Sequence, residues 1–248
     1  MAVNQEAFEQ AMKIATDMNR RQLGIGTLAE KTVHAVLKNY YQPNEAFQEI
    51  KVGRYVADIY QDGEILEIQT GQFDRLRKKL EAFLPVFSVT VIYPIPENKW
   101  IIWIDEETGS LSSKRKSPAK GSYYTAFKEL YRIKMHLNDP NLKLKLVLLD
   151  LEEYRLLNGW SRDRKKGSRR YDRIPVKINS ELELASSEDY VKLLPAMLPD
   201  PFTTKEFAKA AEIKLPCARY VVPILAYLGI IEKAGKKGRE YLYRKFTI

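Results

Sequence analysis

Residues 56–70, VADIYQDGEILEIQT, decide how the fold is read. Two β-like segments, Tyr55–Tyr60 and Ile65–Ile68, flank Asp62-Gly63, a pair that favours the positive-φ positions of a tight hairpin. A third segment, Ala46–Lys51, precedes them across Gly53, so three short strands form a meander. Upstream, Thr27 and Glu30 make a capping-box pattern, which opens a helix that runs through Val33, Val36 and Leu37 to about Tyr41 and stops at Pro43. An earlier helix is expected over residues 4–20, where Phe8, Ala11, Met12, Ala15 and Met18 recur at helical spacing. Downstream come a charged amphipathic helix from Asp74 to Leu84, an apolar strand Phe87–Tyr93 and another strand Trp100–Ile104. Helix, meander, helix, strand is the order of an α/β fold, a mixed sheet flanked by helices.

The meander carries two acids. Asp58 ends one strand in ADIY, and Glu67 stands near the end of the next in LEIQ. Side chains alternate along a strand, so Glu67 and Gln69 share a face. Oxygen ligands from neighbouring strands suit Mg²⁺ or Mn²⁺, which could acidify a water and stabilise charge on a phosphate. Glu67 is also flanked by Ile65, Leu66 and Ile68. A carboxylate on so apolar a strand needs a partner or a metal.

Three stretches, GTLAEKTVHAVL, VADIYQDGEILEIQT and the helix after Phe73, together resemble the PD-(D/E)XK nucleases, the restriction-endonuclease-like and Holliday-junction-resolvase-like superfamily. The resemblance covers Thr27–Leu84. It implies that Asp58 and Glu67 are the motif's acids and hold the metal, with the backbone carbonyl of Ile68 as a further ligand. It also implies that Glu30 is the extra acid many members carry on the preceding helix. Where the family usually has Lys, this sequence has Gln69. An amide can be neither a general base nor a positive charge, although active members with Gln at this place exist. A migrated lysine such as Lys51 could substitute, and Gln72 is a further phosphate or water contact to test.

The chain's last segment has a second organisation. Residues 203–206, TTKE, make another capping box and open a helix to Ala211. A second helix over Pro216–Leu228 follows, and then a hairpin around GKKGRE. This segment resembles a winged helix-turn-helix. The resemblance implies that Val221, Ile224, Leu225 and Leu228 pack inward, that Arg219 and Tyr220 stand at the groove-facing start, and that Lys236, Lys237 and Arg239 meet phosphates from the wing. Pro223 departs from it and should kink the second helix. A winged helix used for protein contacts is the alternative. Cys217 reads as a small helix residue, with no His near it in sequence. A division into residues 1–185 and 186–248 follows, with a helix expected over Glu188–Met197.

Between them, Tyr123–His136 reads as a core-packing helix and Leu142–Leu151 as a buried strand. Residues 158–173, NGWSRDRKKGSRRYDR, carry seven Lys and Arg against two Asp. Arg162, Arg164, Lys165, Lys166, Arg169 and Arg170 could clamp DNA from a loop, with Trp160 or Tyr171 stacking on a base. The other reading is a solvated loop.

The net charge of +9 is unevenly placed. Residues 1–109 carry 12 Lys and Arg against 16 Asp and Glu, a net of −4, and the remainder is strongly basic. That asymmetry suggests a nucleic-acid surface in the second half. No stretch approaches the about 18 apolar residues of a membrane span. The opening MAVNQEAFEQ lacks the marks of a secretory leader. One cysteine excludes a disulfide framework and, with only two His, speaks against structural zinc. The expectation is a cytoplasmic, Mg²⁺-dependent DNA endonuclease, with a homodimer if both strands are cut in concert. The alternatives are an inactive nuclease-like DNA-binding regulator and an adaptor that binds proteins.

Overall fold

The computed structural model describes residues 3–22, 31–156 and 169–246, with the backbone alone for residues 17–22, Lys31 and Arg169. In chain order its first elements are α1 (Gln5–Gln22), α2 (Lys31–Tyr41), β1 (Gln48–Val52), β2 (Tyr55–Gln61), β3 (Glu64–Ile68), α3 (Arg77–Phe83) and β4 (Ser88–Ile104). Then come β5 (Arg115–Lys116), α4 (Phe127–Leu130), β6 (Leu142–Leu156) and β7 (Arg169–Leu184). The last are β8 (Phe202–Thr203), α5 (Thr204–Ala210), α6 (Leu215–Tyr227), β9 (Ile231–Lys237) and β10 (Glu240–Lys245). The fold is mixed α/β. A seven-stranded sheet runs β1-β2-β3-β4-β6-β7 with β5 beside β4, and a three-stranded sheet runs β8-β10-β9. The larger sheet is mixed, since β1 and β2 are antiparallel while β3 and β4 run parallel with Glu67 opposite Val91. No described helix is long and apolar enough to cross a membrane.

Local chemistry accounts for the expected elements. Asp62 and Gly63 both have positive φ, 49° and 82°, as a two-residue hairpin turn with the strands' twist requires. Thr203 caps α5: its side chain accepts from Glu206 N at 3.2 Å, and Glu206 Oε2 accepts from Thr203 N at 2.6 Å. These bonds hold the Glu206 carboxyl below its usual range.

Four expectations are corrected. The two strands expected over 87–93 and 100–104 are one strand, β4. Pro94 and Pro96 do not end it, because they fall after the last β3 pair, Ile68 with Ile92, and before β5 begins opposite Trp100. Residues 169–173, read as part of a basic loop, open the 16-residue strand β7. The segment expected as a helix over 188–197 is a 3₁₀ turn, Ser187–Leu193. The helix expected over 123–136 is a short α-helix between two 3₁₀ turns, Tyr123–Ala126 and Tyr131–His136.

The chain divides into two compact units. The first comprises Met1–Gln61, Pro94–Ser122 and Val147–Glu181. Here α1 and α2 pack through Phe8, Ala11, Ala15, Val33, Val36 and Leu37, with Phe8 edge-on to Tyr40 at 5.6 Å. Along β7, Thr32 Oγ1 donates to Asp172 Oδ2 at 2.6 Å, and Tyr41 donates its hydroxyl to Glu181. Gly121 N donates to Glu97 O at 3.0 Å, and a Cβ on Gly121 would meet the Pro96 carbonyl oxygen at 2.1 Å. Backbone cannot yield there as a side chain could. We expect Gly121→Ala to cost about 1–3 kcal/mol in urea unfolding, and a cost near zero would disprove the close approach.

The second unit comprises Asp62–Tyr93, Tyr123–Leu146 and Leu182–Ile248. Its core gathers Ile65, Phe73, Leu80, Phe127, Leu130, Phe202 and Phe207. The α5–α6 pair buries Val221, Ile224, Leu225 and Leu228, the set expected to face inward. The helix α6 continues through Pro223.

Candidate active site

Asp58 stands on β2 in the first unit, and its Oδ2 is 3.1 Å from His34 Nε2 on α2. One turn on, Lys38 Nζ reaches Glu49 Oε1 at 2.5 Å. His34 and Lys38, spaced i to i+4, share the side of α2 turned away from Val33, Val36 and Leu37. Glu49 has a left-handed backbone, φ 52°. Its hydrogen bond and ion pair with Lys38 lower its carboxyl pKa, with a smaller pull from His34 and an opposing push from Asp58. Two acids and two basic groups thus interact beside the β1–β2 hairpin.

Glu67 lies on β3 in the second unit and is only 2% exposed. Lys79 Nζ, from α3, is 2.6 Å from its Oε2. Isolated burial of a carboxylate costs several kcal/mol, a cost that the Lys79 pair offsets where Glu67 stands between Ile65 and Ile68. The apolar stripe of α3, Leu76, Leu80 and Phe83, docks inward, and Lys79 beside Leu80 is carried in with it. Gln69 is used locally: its amide nitrogen donates to the Gly71 carbonyl, and its backbone N donates to Ile92 O at 2.9 Å. Ile68 is buried. Lys51 is exposed on β1, and Gln72 is exposed with φ 57° at the start of a 3₁₀ turn. Glu30 lies outside the described residues. Among those described, no three His, Cys, Asp or Glu side chains group as a metal site.

A third cluster, in the first unit, was not foreseen from sequence. Glu153 on β6 is 2% exposed, and three cations converge on it. Lys99 Nζ lies at 3.3 Å and Arg170 Nε at 3.8 Å, while Arg155 hydrogen-bonds it through both Nε and an Nη. Burial pushes the Glu153 carboxyl up, but the three cations outweigh burial and hold it below the ordinary carboxylate range. The Arg155 guanidinium also sits over the Trp103 ring, 5.8 Å from its centroid. On the same stretch of β4, Lys114 and Lys116 lie 5.9 and 5.5 Å from the Trp100 ring centroid. Asp172 behaves oppositely to Glu153: burial raises its carboxyl despite the bond from Thr32.

The other expected contact residues are scattered. Arg162, Arg164, Lys165 and Lys166 lie outside the described residues, and so does the side chain of Arg169. Arg219 is exposed and is the one charged residue of α6. Tyr220 packs edge-on against Tyr131 at 5.7 Å. Cys217 Sγ donates to Tyr124 O at 3.3 Å, and burial raises its thiol pKa. The β9–β10 hairpin is longer than expected and turns through Gly238 and Arg239 alone. Lys236 stacks over Tyr241 at 5.2 Å, Lys237 lies 3.6 Å from Glu206, and Arg239 is exposed.

His34, Lys79, Lys99, Trp103, Glu153 and Arg155 are the residues that sequence reasoning missed. Glu153 had a readable signal, being an acid inside the apolar run LVLLDLEEY. Lys79 had none, because a lysine on an amphipathic helix is ordinary.

These elements define a mixed α/β protein with two buried, ion-paired glutamates, Glu67 and Glu153. The chain belongs to the family described as "Domain of unknown function (DUF8091)", whose profile matches residues 31–185. It is 31% identical over 222 residues to an "Uncharacterized protein" of Treponema pallidum (strain Nichols), covering 89% of this chain and 87% of that one. No solved structure gives a significant match.

Proposed function

We propose that this protein is a Mg²⁺- or Mn²⁺-dependent DNA endonuclease of the PD-(D/E)XK type. Residues 1–185 would form the nuclease part, and residues 186–248 a winged helix that positions the duplex. The observation that carries the reading is the buried Glu67 carboxylate held by Lys79 at 2.6 Å. That lysine supplies, from α3, the positive charge that Gln69 cannot. Asp58 and Glu67 stand on consecutive strands joined by a two-residue turn, and carboxylate and carbonyl oxygens are the hard donors these cations prefer. Asp58, Glu67 and the Ile68 carbonyl would hold the cation, with Glu30 adding an oxygen. When bound, it supplies an acidified water and a positive charge beside the scissile phosphate. His34 orients the Asp58 carboxylate, and Lys79 stabilises charge that develops on the phosphate. The exposed Lys236, Lys237 and Arg239 give the hairpin the phosphate-binding role. By contrast α6, with a single charge and with Tyr220 packed on Tyr131, contributes little base reading.

The test is cleavage of a labelled panel of plasmid, linear duplex, flap and four-way junction DNA with Mg²⁺ or Mn²⁺. Cutting that requires the cation and stops with EDTA is the expected result. An inert protein that still binds DNA with a steep salt dependence would instead make it a nuclease-like DNA-binding regulator. Weak, salt-insensitive binding would make it an adaptor for proteins.

A further inference from the structure

The β4–β5 hairpin, in the first unit, carries a basic stretch that the proposed nuclease site does not use. Lys114, Arg115 and Lys116 are all exposed there. Although β5 has only two residues, the hairpin is hydrogen-bonded along its length. Arg115 pairs with Ile101 and Lys116 with Trp100. Ser117 N donates to Lys99 O at 2.7 Å, and Ser112 N to Trp103 O at 2.9 Å. Cross-strand partners share a face, and so do alternate residues of one strand. Lys114 and Lys116 thus stand on the Trp100 side, their ammonium groups 5.9 and 5.5 Å from its ring centroid. An ammonium held over an indole is already placed, so less freedom is lost when an anion meets it. Lys114 also pairs with Glu152 of β6. Among the described residues, no carboxylate lies at ion-pair distance from Arg115 or Lys116. Within the sheet β5 pairs with β4 alone, so a ligand along its outer edge meets long side chains from both faces.

Two positive charges on an outer strand, without a pocket, match a row of phosphates. A bilayer is the poorer match, because Leu111 is the hairpin's one large exposed hydrophobe. A single strand is poorer too: Trp100 is half-buried, and lysines occupy its ring where a base would stack. The turn carries Asp105, Glu106 and Glu107, which repel phosphate, so the contact lies at residues 114–116. We propose that Arg115 and Lys116 bind backbone phosphates of double-stranded DNA, with Trp100 as the residue that positions Lys116. The inference rests on the reading of the chain as DNA-acting but does not require cleavage.

The test is fluorescence anisotropy of a labelled DNA duplex on the full-length protein in EDTA, across a salt series. Each phosphate contact removed should flatten the slope of log affinity against log salt by about 0.9, and weaken binding about five- to tenfold near roughly 0.1 M salt. Arg115→Ala and Lys116→Ala should each show both effects, and Lys116→Arg should show neither. Lys13→Ala, which removes an exposed charge from α1, should also show neither. Trp100→Leu should weaken binding with an unchanged slope, and Trp100→Phe should keep most of the affinity. Unchanged slopes in both Arg115→Ala and Lys116→Ala overturn the proposal, and so does an equal loss in Lys13→Ala. A loss confined to single-stranded oligothymidylate or to anionic phospholipid vesicles, with duplex binding intact, overturns it as well. Trp100→Leu binding as tightly as wild type overturns the positioning role. If the wild type cuts DNA while Arg115→Ala and Lys116→Ala bind the duplex normally, this inference fails and the nuclease reading stands. If they bind weakly and no protein cuts, the reverse holds.

Discussion

Asp58→Ala and Glu67→Ala each lower metal-dependent DNA cleavage by roughly a thousandfold or more if the proposed nuclease is correct. Lys79→Ala lowers it by about a hundred- to a thousandfold. The reason is division of labour. In the proposed site the two acids would hold the cation, while Lys79 would offer a fixed charge where charge develops in the transition state. His34→Ala should fall less, by about ten- to a hundredfold, because in that proposal His34 would act only by orienting Asp58. Stability separates chemistry from unfolding. A ligand that binds only the folded state at about a hundred times its Kd adds about 2.7 kcal/mol. Saturating Mg²⁺ should therefore raise the melting temperature of the wild type and leave that of Asp58→Ala unmoved. A folded Asp58→Ala protein that cuts at the wild-type rate sinks the assignment.

Lys79 has a second consequence in the same experiment. Removing it leaves the Glu67 carboxylate buried without the cation seen at 2.6 Å. Breaking a buried pair from one side costs about 3–5 kcal/mol. Lys79→Ala should therefore be less stable than wild type in the absence of divalent cations. If the Glu67 site takes Mg²⁺, added cation should return part of that loss.

Much of the fold was legible in sequence because local rules and tertiary packing agreed. Asp62-Gly63 placed the β2–β3 turn, and the strand bounds around it lie within two residues of expectation. The TTKE box at 203–206 placed the start of α5, and the inward set of α6 is the one that the winged-helix resemblance implies. Elsewhere tertiary context overrode local signals. Strands expected separately over 87–93 and 100–104 are one, with Pro94 and Pro96 lying between the last β3 pair and the first β5 partner. The strand β7 was hidden because its first residues, RRYDR, have the charge of a loop. They are a strand because the charges are used inside the fold: Arg170 reaches Glu153, and Asp172 is buried on Thr32.

The candidate site was legible on one side only. Glu67 stood out because an acid is unexpected on an apolar strand, and Asp58 as the acid that ends the preceding strand and matches the nuclease motif. Their partners did not, because His34 and Lys79 come from helices whose exposed faces carry ordinary charges. Gln69, read as a departure from the nuclease pattern, instead ties its amide to Gly71. The signal that sequence could have used for Glu153 is the one it used for Glu67. In both cases a carboxylate sits in an apolar strand, paired with Lys79 at Glu67 and with Lys99, Arg155 and Arg170 at Glu153.

Glu153→Gln should be among the most destabilising single substitutions in the first unit, at about 3–5 kcal/mol near neutral pH. That is a large part of a typical total of about 5–15 kcal/mol. The amide keeps the shape and can still accept a hydrogen bond, but Lys99, Arg155 and Arg170 lose the carboxylate charge on which they converge. The pH dependence follows from the lowered carboxyl. Its folded pKa lies below the unfolded value of about 4.3, so its contribution is fully present above that value. It is lost as pH falls through the folded pKa. Urea unfolding from pH 7 down to pH 3 should show the gap between wild type and Glu153→Gln narrowing with acid. A gap that stays constant would mean the carboxyl's charge is not what matters. Arg170→Ala should cost much less folding stability than Glu153→Gln, because Arg170 is the most exposed of the three cations.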